Sequence, residues 1–153
     1  MDGPPRQPPT QHFKEFLQFF NAQHVEYLLI GGYAVGYHGY PRTTGDMDVW
    51  VARHEQNAHR IVTALNAFGF GAATGASAEM FLKPDQVVRM GNPPLRIEVL
   101  TSISGVDFAP CFARRLVVVL EGVPVNFIGL DDLKTNKAAS GRTKDQNDLD
   151  HLP

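Results

Sequence analysis

Asp46-Met47-Asp48 opens the apolar run that continues to Val51. On a strand, residues two apart face one side, so Asp46 and Asp48 project together while Met47, Val49 and Val51 project the other way. Like charges held that close repel and call for a cation or a raised pKa. Carboxylates paired on a rigid strand suit Mg²⁺, which takes oxygen ligands and shares its shell with substrate phosphates. The plainer reading is a solvated strand edge with surface aspartates. Upstream, Gly31-Gly32 stands between a strand-like and a helix-like stretch. Glycine lets backbone approach a ligand, and amides at a helix start bind phosphate oxygens, although such a pair also serves as a tight turn. Glu98 lies in Leu95-Arg96-Ile97-Glu98-Val99-Leu100 on the face opposite Leu95, Ile97 and Val99. An acid in an apolar strand needs a partner or a metal. Arg96 shares its face and is the obvious partner for a salt bridge.

The elements that must position these residues follow from periodicity. Residues 25–30 form a short apolar run that stops at the glycines, as a buried strand does. Residues 33–39 make about two helical turns, and Pro41 and Gly45 mark a loop over 40–45. Residues 47–51 read as a strand and 54–68 as an amphipathic helix ended by Gly69. Before all of these, Thr10 caps a helix over 11–23 whose Phe13, Phe16, Leu17 and Phe20 form a core stripe. Residues 72–75 are small and flexible, and strands are expected at 79–82, 86–90 and 95–102, the last preceded by turn residues 91–94. Residues 116–120 and 123–128 flank Glu121-Gly122 as a hairpin. Two helices close the chain, one capped by Asp131 and ending before Gly141, the other capped by Thr143 and running toward Leu152. This order predicts an α/β (or α+β) fold: a mixed sheet flanked by helices, with two C-terminal helices. Residues 1–9, with Pro4, Pro5, Pro8 and Pro9, read as a flexible tail before one domain over 10–153.

Bulk composition excludes several classes. With 153 residues, 43% hydrophobic and 20% charged, the chain is long and apolar enough for a core without disulfides. A net charge of −2 supplies no field for strong DNA binding. No apolar run approaches the roughly 18–20 residues of a membrane span, and the start of the chain lacks the pattern of a secretory signal. The single cysteine, Cys111, fits a reducing cytosol and reads as a small buried side chain, so the expected location is cytoplasmic.

Taken together, Gly31-Gly32-Tyr33-Ala34, His38-Gly39, the Arg-x-Thr-x-Asp-x-Asp run from Arg42 to Asp48, and Glu98 on a later strand resemble the nucleotidyltransferase superfamily with the DNA polymerase β type fold. The closer likeness is to its small single-domain bacterial members, the minimal and AbiEii-like group. The stretches Leu133-Lys134-Thr135-Asn136-Lys137-Ala138 and Gly141-Arg142-Thr143-Lys144-Asp145-Gln146-Asn147-Asp148-Leu149 are similar to that group's C-terminal helical signature, so the resemblance covers roughly residues 26–152.

The resemblance implies an enzyme that moves a nucleoside monophosphate, such as AMP, from a nucleoside triphosphate to a hydroxyl of protein or RNA. It makes Asp46, Asp48 and Glu98 the catalytic and metal-binding acids, holding two ions of Mg²⁺ (or Mn²⁺). It makes Gly31 and Gly32 phosphate-binding amides. Lys137 becomes the first candidate for a triphosphate contact, ahead of Lys134, Arg142 and Lys144, and Arg42 a further nucleotide-binding candidate. Two departures stand out: the group's third acid is usually aspartate, here Glu98, and many members carry Gly-Ser where this chain has Gly31-Gly32. A second reading keeps the fold in a weakly active or inactive binding module that acts through a protein partner in a toxin–antitoxin pair. His38 reads as shaping the loop after the glycines. Trp50 either stacks on a base or packs beneath the site, and Asp145 and Asp148 orient the terminal helices or pair with Arg142 and Lys144.

Overall fold

The stripe of Phe13, Phe16, Leu17 and Phe20 folds Gln11–Ala22 into helix α1, with all four side chains buried. The computed structural model describes residues 11–41, 45–69, 77–92 and 96–153. Helix α1 packs on α3, Glu55–Phe68, where Phe68 meets Phe16 edge-on at 5.5 Å. His54 caps α3 by accepting the Asn57 amide through its ring, and Gly69 ends it at φ 97. Asn57, fully buried, ties two elements together: its side chain accepts the Glu26 amide at 2.7 Å and donates to the Glu26 and Ala52 carbonyls.

Six strands form one mixed sheet: β1 Tyr27–Ile30, β2 Met47–Val51, β3 Val87–Met90, β4 Ile97–Leu100, β5 Leu116–Leu120 and β6 Val123–Phe127, in the order β3-β4-β2-β1-β6-β5. β2 runs antiparallel to β1 and parallel to β4. Met47, Val49 and Val51 are fully buried on one face of β2, as the alternation predicts. Helix α2, Gly31–Tyr37, leaves β1 directly and begins at the glycines, two residues before the expected start.

Two elements depart from the sequence reading. In place of the strand expected at 79–82, Met80–Leu82 is a 3-10 turn that buries Phe81 and is closed by amides bonding three residues back. Phe108–Ala113 forms helix α4, which the pattern does not reveal because Pro110 reads as a breaker. Pro110 is the third helical residue, where an amide would lack an intrahelical partner anyway. The C-terminal pair is α5, Leu130–Ser140, begun at Gly129 and ended by Gly141, and α6, Thr143–His151, begun at Arg142. Asp131 and Thr143, the predicted caps, therefore lie in the first turns of α5 and α6, two residues and one residue inside the observed caps. Residues 1–10, 70–76 and 93–95, which include the tail, Thr10, 72–75 and part of the 91–94 turn, lie outside the described residues.

Candidate active site

The parallel register of β2 and β4 places Met47 beside Ile97 and Asp48 beside Glu98. Both acids project from the face opposite Met47 and Val49, so two carboxylates far apart in sequence become lateral neighbours. Antiparallel pairing of β1 with β2 sets Ile30 beside Asp48. The next residue, Gly31, turns the chain into α2 at φ 65, and a Cβ there would overlap the Asp48 carboxylate. Glycine is required twice over, by the left-handed backbone and by the closeness of the acid. Gly31→Ala is accordingly expected to destabilise the protein by about 1–3 kcal/mol. Chemical unfolding checks this, and Gly36→Ala, with open space at its Cβ, serves as the tolerated control.

Burial pushes the Asp48 carboxyl up to about 6, with further upward pressure from the charge and hydrogen bond of Glu98 and from Asp46, against a lowering pull from Lys144. Its Oδ1 is shielded from solvent and has no hydrogen-bond partner. A buried carboxylate oxygen left in that state is costly unless a cation or proton meets it. Glu98 is held from the other side by Arg89, its cross-strand neighbour on β3, at 2.6 Å. Asp46, just ahead of the paired stretch, accepts from Arg96 at 2.8 Å. The salt bridge expected between Glu98 and Arg96 is therefore replaced by two cross-strand pairs, because lateral neighbours in a sheet lie closer than residues two apart on one strand.

These groups open onto a cavity of about 320 Å³ lined by Gly31, Asp48, Arg89, Glu98, Lys137 and Arg142, among others. Of the three predicted acids, the structure brings Asp48 and Glu98 together and turns Asp46 toward Arg96. Among the described residues, no three His, Cys, Asp or Glu side chains are grouped as a ready metal cage. The Asp48–Glu98 pair with its orphan oxygen still fits one hard divalent cation, with Asp46 close enough to influence Asp48. Gly31 and Gly32 open the first turn of α2, and Gly31 lies over Asp48. Arg42 lies outside the described residues.

Lys137 reaches the cavity wall but is only 3% exposed, its ammonium 3.1 Å from Asp145 and 3.2 Å from Asp148. Burial would raise the Asp145 carboxyl, yet hydrogen bonds from Arg142, Ser140 and Lys137 hold it well below the usual carboxylate range. Lys137 thus joins α5 to α6 across Gly141. Among the described residues, the exposed cations lining the cavity are Arg89 and Arg142, the latter anchored on Asp145 at 2.7 Å. Lys134 instead donates to the Pro153 carbonyl. Sequence reasoning passes over Arg89; its alternation with Val88 and Met90 on a predicted strand is the available signal. His38 is 2.7 Å from the Ile128 carbonyl through its ring, so it braces the chain after α2. Trp50 is buried beneath an edge-on Phe108, and Cys111 is buried beside Asp132 and Arg114, its thiol pushed up to about 11 by burial first. No helix among the described residues is long and apolar enough to cross a membrane.

No family model matches the chain, and no curated protein matches it. Among solved structures, its fold is similar to that of a Thermotoga maritima protein described as a "putative nucleotidyltransferase", with a TM-score of 0.61 over 90% of this chain and 88% of that one, at 12% identity. The two proteins share a fold, which in this chain is the six-stranded mixed sheet flanked by helices.

Proposed function

We propose that the chain is a metal-dependent nucleotidyltransferase that moves a nucleoside monophosphate from a nucleoside triphosphate to a hydroxyl on protein or RNA. The observation that carries this reading is the Asp48 carboxylate beside Glu98, with Oδ2 packed under Gly31 and Oδ1 shielded and unpartnered. Asp48 and Glu98 would hold Mg²⁺ or Mn²⁺, and Asp46 would join them on exchanging Arg96 for the cation. Bound there, such ions lower the pKa of the attacking hydroxyl and neutralise the leaving pyrophosphate. The amides of Gly31 and Gly32 approach the phosphates from α2. Arg142 and Arg89, at the cavity wall, offer guanidinium groups to phosphate oxygens. Lys137 acts as a positioning residue, holding Asp145, which in turn orients Arg142. In the transfer the acceptor hydroxyl oxygen bonds the α-phosphorus and its proton passes to solvent, while the bond from the α-phosphorus to the α–β bridging oxygen breaks and pyrophosphate leaves with that electron pair.

One feature favours the second reading, of a weakly active or inactive module that works through a protein partner: arginines already engage Asp46 and Glu98. A labelling experiment separates the two. The protein is incubated with a cell lysate and each nucleoside triphosphate, labelled at either the α or the γ phosphorus, with Mg²⁺. Transfer of the α label alone to a macromolecule, lost in Asp48→Asn, is the expected result. Transfer of the γ label would mean phosphoryl transfer instead, and no transfer by the folded protein would leave the binding module.

A further inference from the structure

Leu116-Val117-Val118-Val119-Leu120 reads the same in both directions and is bracketed by Arg115 and Glu121. This palindrome is β5, the last strand of the sheet, so among the described residues one side of its backbone has no strand beside it. It pairs with β6 residue for residue without a bulge. It also carries no lysine or proline. Bulges, lysines and prolines are the devices that ordinarily blunt a sheet edge. Val117 and Val119 are 57% and 65% exposed, and Leu116 is 40% exposed.

The hairpin fixes which backbone groups face outward. Glu121 at φ 50 and Gly122 at φ 83 form a two-residue primed turn. Leu120 and Val123 are then a hydrogen-bonded pair, and alternation directs the amides and carbonyls of Leu116, Val118 and Leu120 toward β6. Those of Val117 and Val119 point to the open side.

We propose that β5 pairs antiparallel with β5 of a second copy of the chain, about a two-fold axis through Val118, so that one sheet runs through a dimer. In this register Val117 faces the partner's Val119 in a hydrogen-bonded pair, using the outward backbone groups. Leu116 faces the partner's Leu120, and Val118 faces the partner's Val118. Each apolar residue meets an apolar residue. At both ends Arg115 stands opposite the partner's Glu121, giving two opposite-charge pairs. Both side chains are exposed: Arg115 lies over the Phe112 ring at 4.0 Å and donates to the Phe112 carbonyl, and Glu121 has Lys14 at 3.8 Å. A shift by one residue would turn the outward backbone groups of one copy toward the wrong atoms of the other and set charge against leucine. The interface is independent of the proposed chemistry, since Arg89 and Glu98 lie on β3 and β4 at the other end of the sheet.

Sedimentation velocity on the wild type, Arg115→Glu, Glu121→Arg and an equimolar mixture of the two variants tests the register. The wild type is expected to sediment as a dimer. Each variant places like charges opposite one another at both ends, and its dimerisation should weaken about tenfold or more. The mixture restores opposite charges at both ends and should recover the dimer as a heterodimer. In wild-type hydrogen exchange, the Val117 and Val119 amides should be protected at high concentration and lose that protection on dilution. A wild type that is monomeric at every concentration overturns the proposal. So does a dimer indifferent to both single reversals, a mixture that fails to recover, or free exchange at Val117 and Val119 within a dimer.

Discussion

Asp48→Asn is expected to reduce nucleotidyl transfer by on the order of 10³-fold while making the metal-free protein more stable above pH 6. The first effect follows from the loss of a ligand whose charge stabilisation is worth several kcal/mol, about 4, at roughly tenfold per 1.4 kcal/mol. The second follows from the raised carboxyl. An unfolded aspartate titrates near 3.8 and folded Asp48 at about 6. Between those values the folded chain keeps a proton that the unfolded chain has lost, so stability falls as pH rises through this window and levels off above it. A carboxyl raised that far loses roughly 2–3 kcal/mol of stability across the window. Urea unfolding of wild type and variant in chelator across pH 4–8 checks the sign. The wild type should lose stability between pH 4 and 6, and Asp48→Asn should show a flatter curve there. Asp145 acts in the opposite sense and in a lower window: its carboxyl is depressed, so its contribution is present above about pH 4 and is lost in acid.

Lys137→Ala is expected to cost about 3–5 kcal/mol of stability, the range for removing one partner of a buried ion cluster. Asp145 and Asp148 are both fully shielded, and Lys137 is the ammonium lying between them. Arg142 offsets part of the charge on Asp145. Lys137→Met keeps the apolar stem and should be nearly as damaging if charge is the cause. Combining Lys137→Met with Asp145→Asn and Asp148→Asn should recover much of the stability, because the stranded charges are gone. Urea midpoints for the series decide it. If Lys137→Ala alone unfolds at the wild-type midpoint, Lys137 is not the buried anchor described above.

The resemblance makes Lys137 a triphosphate contact; that its ammonium is buried between two carboxylates is not legible in the sequence. Helix α5 buries Asp132, Leu133 and Lys137 together, and a lysine on the inward side of a polar helix looks from sequence like one on its solvated side. Its partners come from α6, beyond a glycine turn, and only the packing of the two helices reveals them. By contrast, the strand carrying Asp48 and its alternation are readable, since Met47, Val49 and Val51 are apolar and fully buried. The face shared by Asp48 and Glu98 follows from the same alternation. Their lateral contact does not, because the parallel register of β2 and β4 depends on the whole sheet. The same register sets Arg96 against Asp46, and the antiparallel register of β3 with β4 gives Glu98 to Arg89. Helix α4 is hidden by a proline placed where a helix tolerates it.

Calorimetric titration of ATP, GTP, CTP and UTP with and without Mg²⁺, on wild type and Asp48→Asn, addresses the Asp48–Glu98 site most directly. The expected result is that at least one nucleotide binds only with Mg²⁺, that the variant loses this binding, and that near pH 6 binding releases protons as the cation displaces the one Asp48 partly holds. Binding that is unchanged by Mg²⁺ and by Asp48→Asn, or no binding of any nucleotide by the folded wild type, would contradict it.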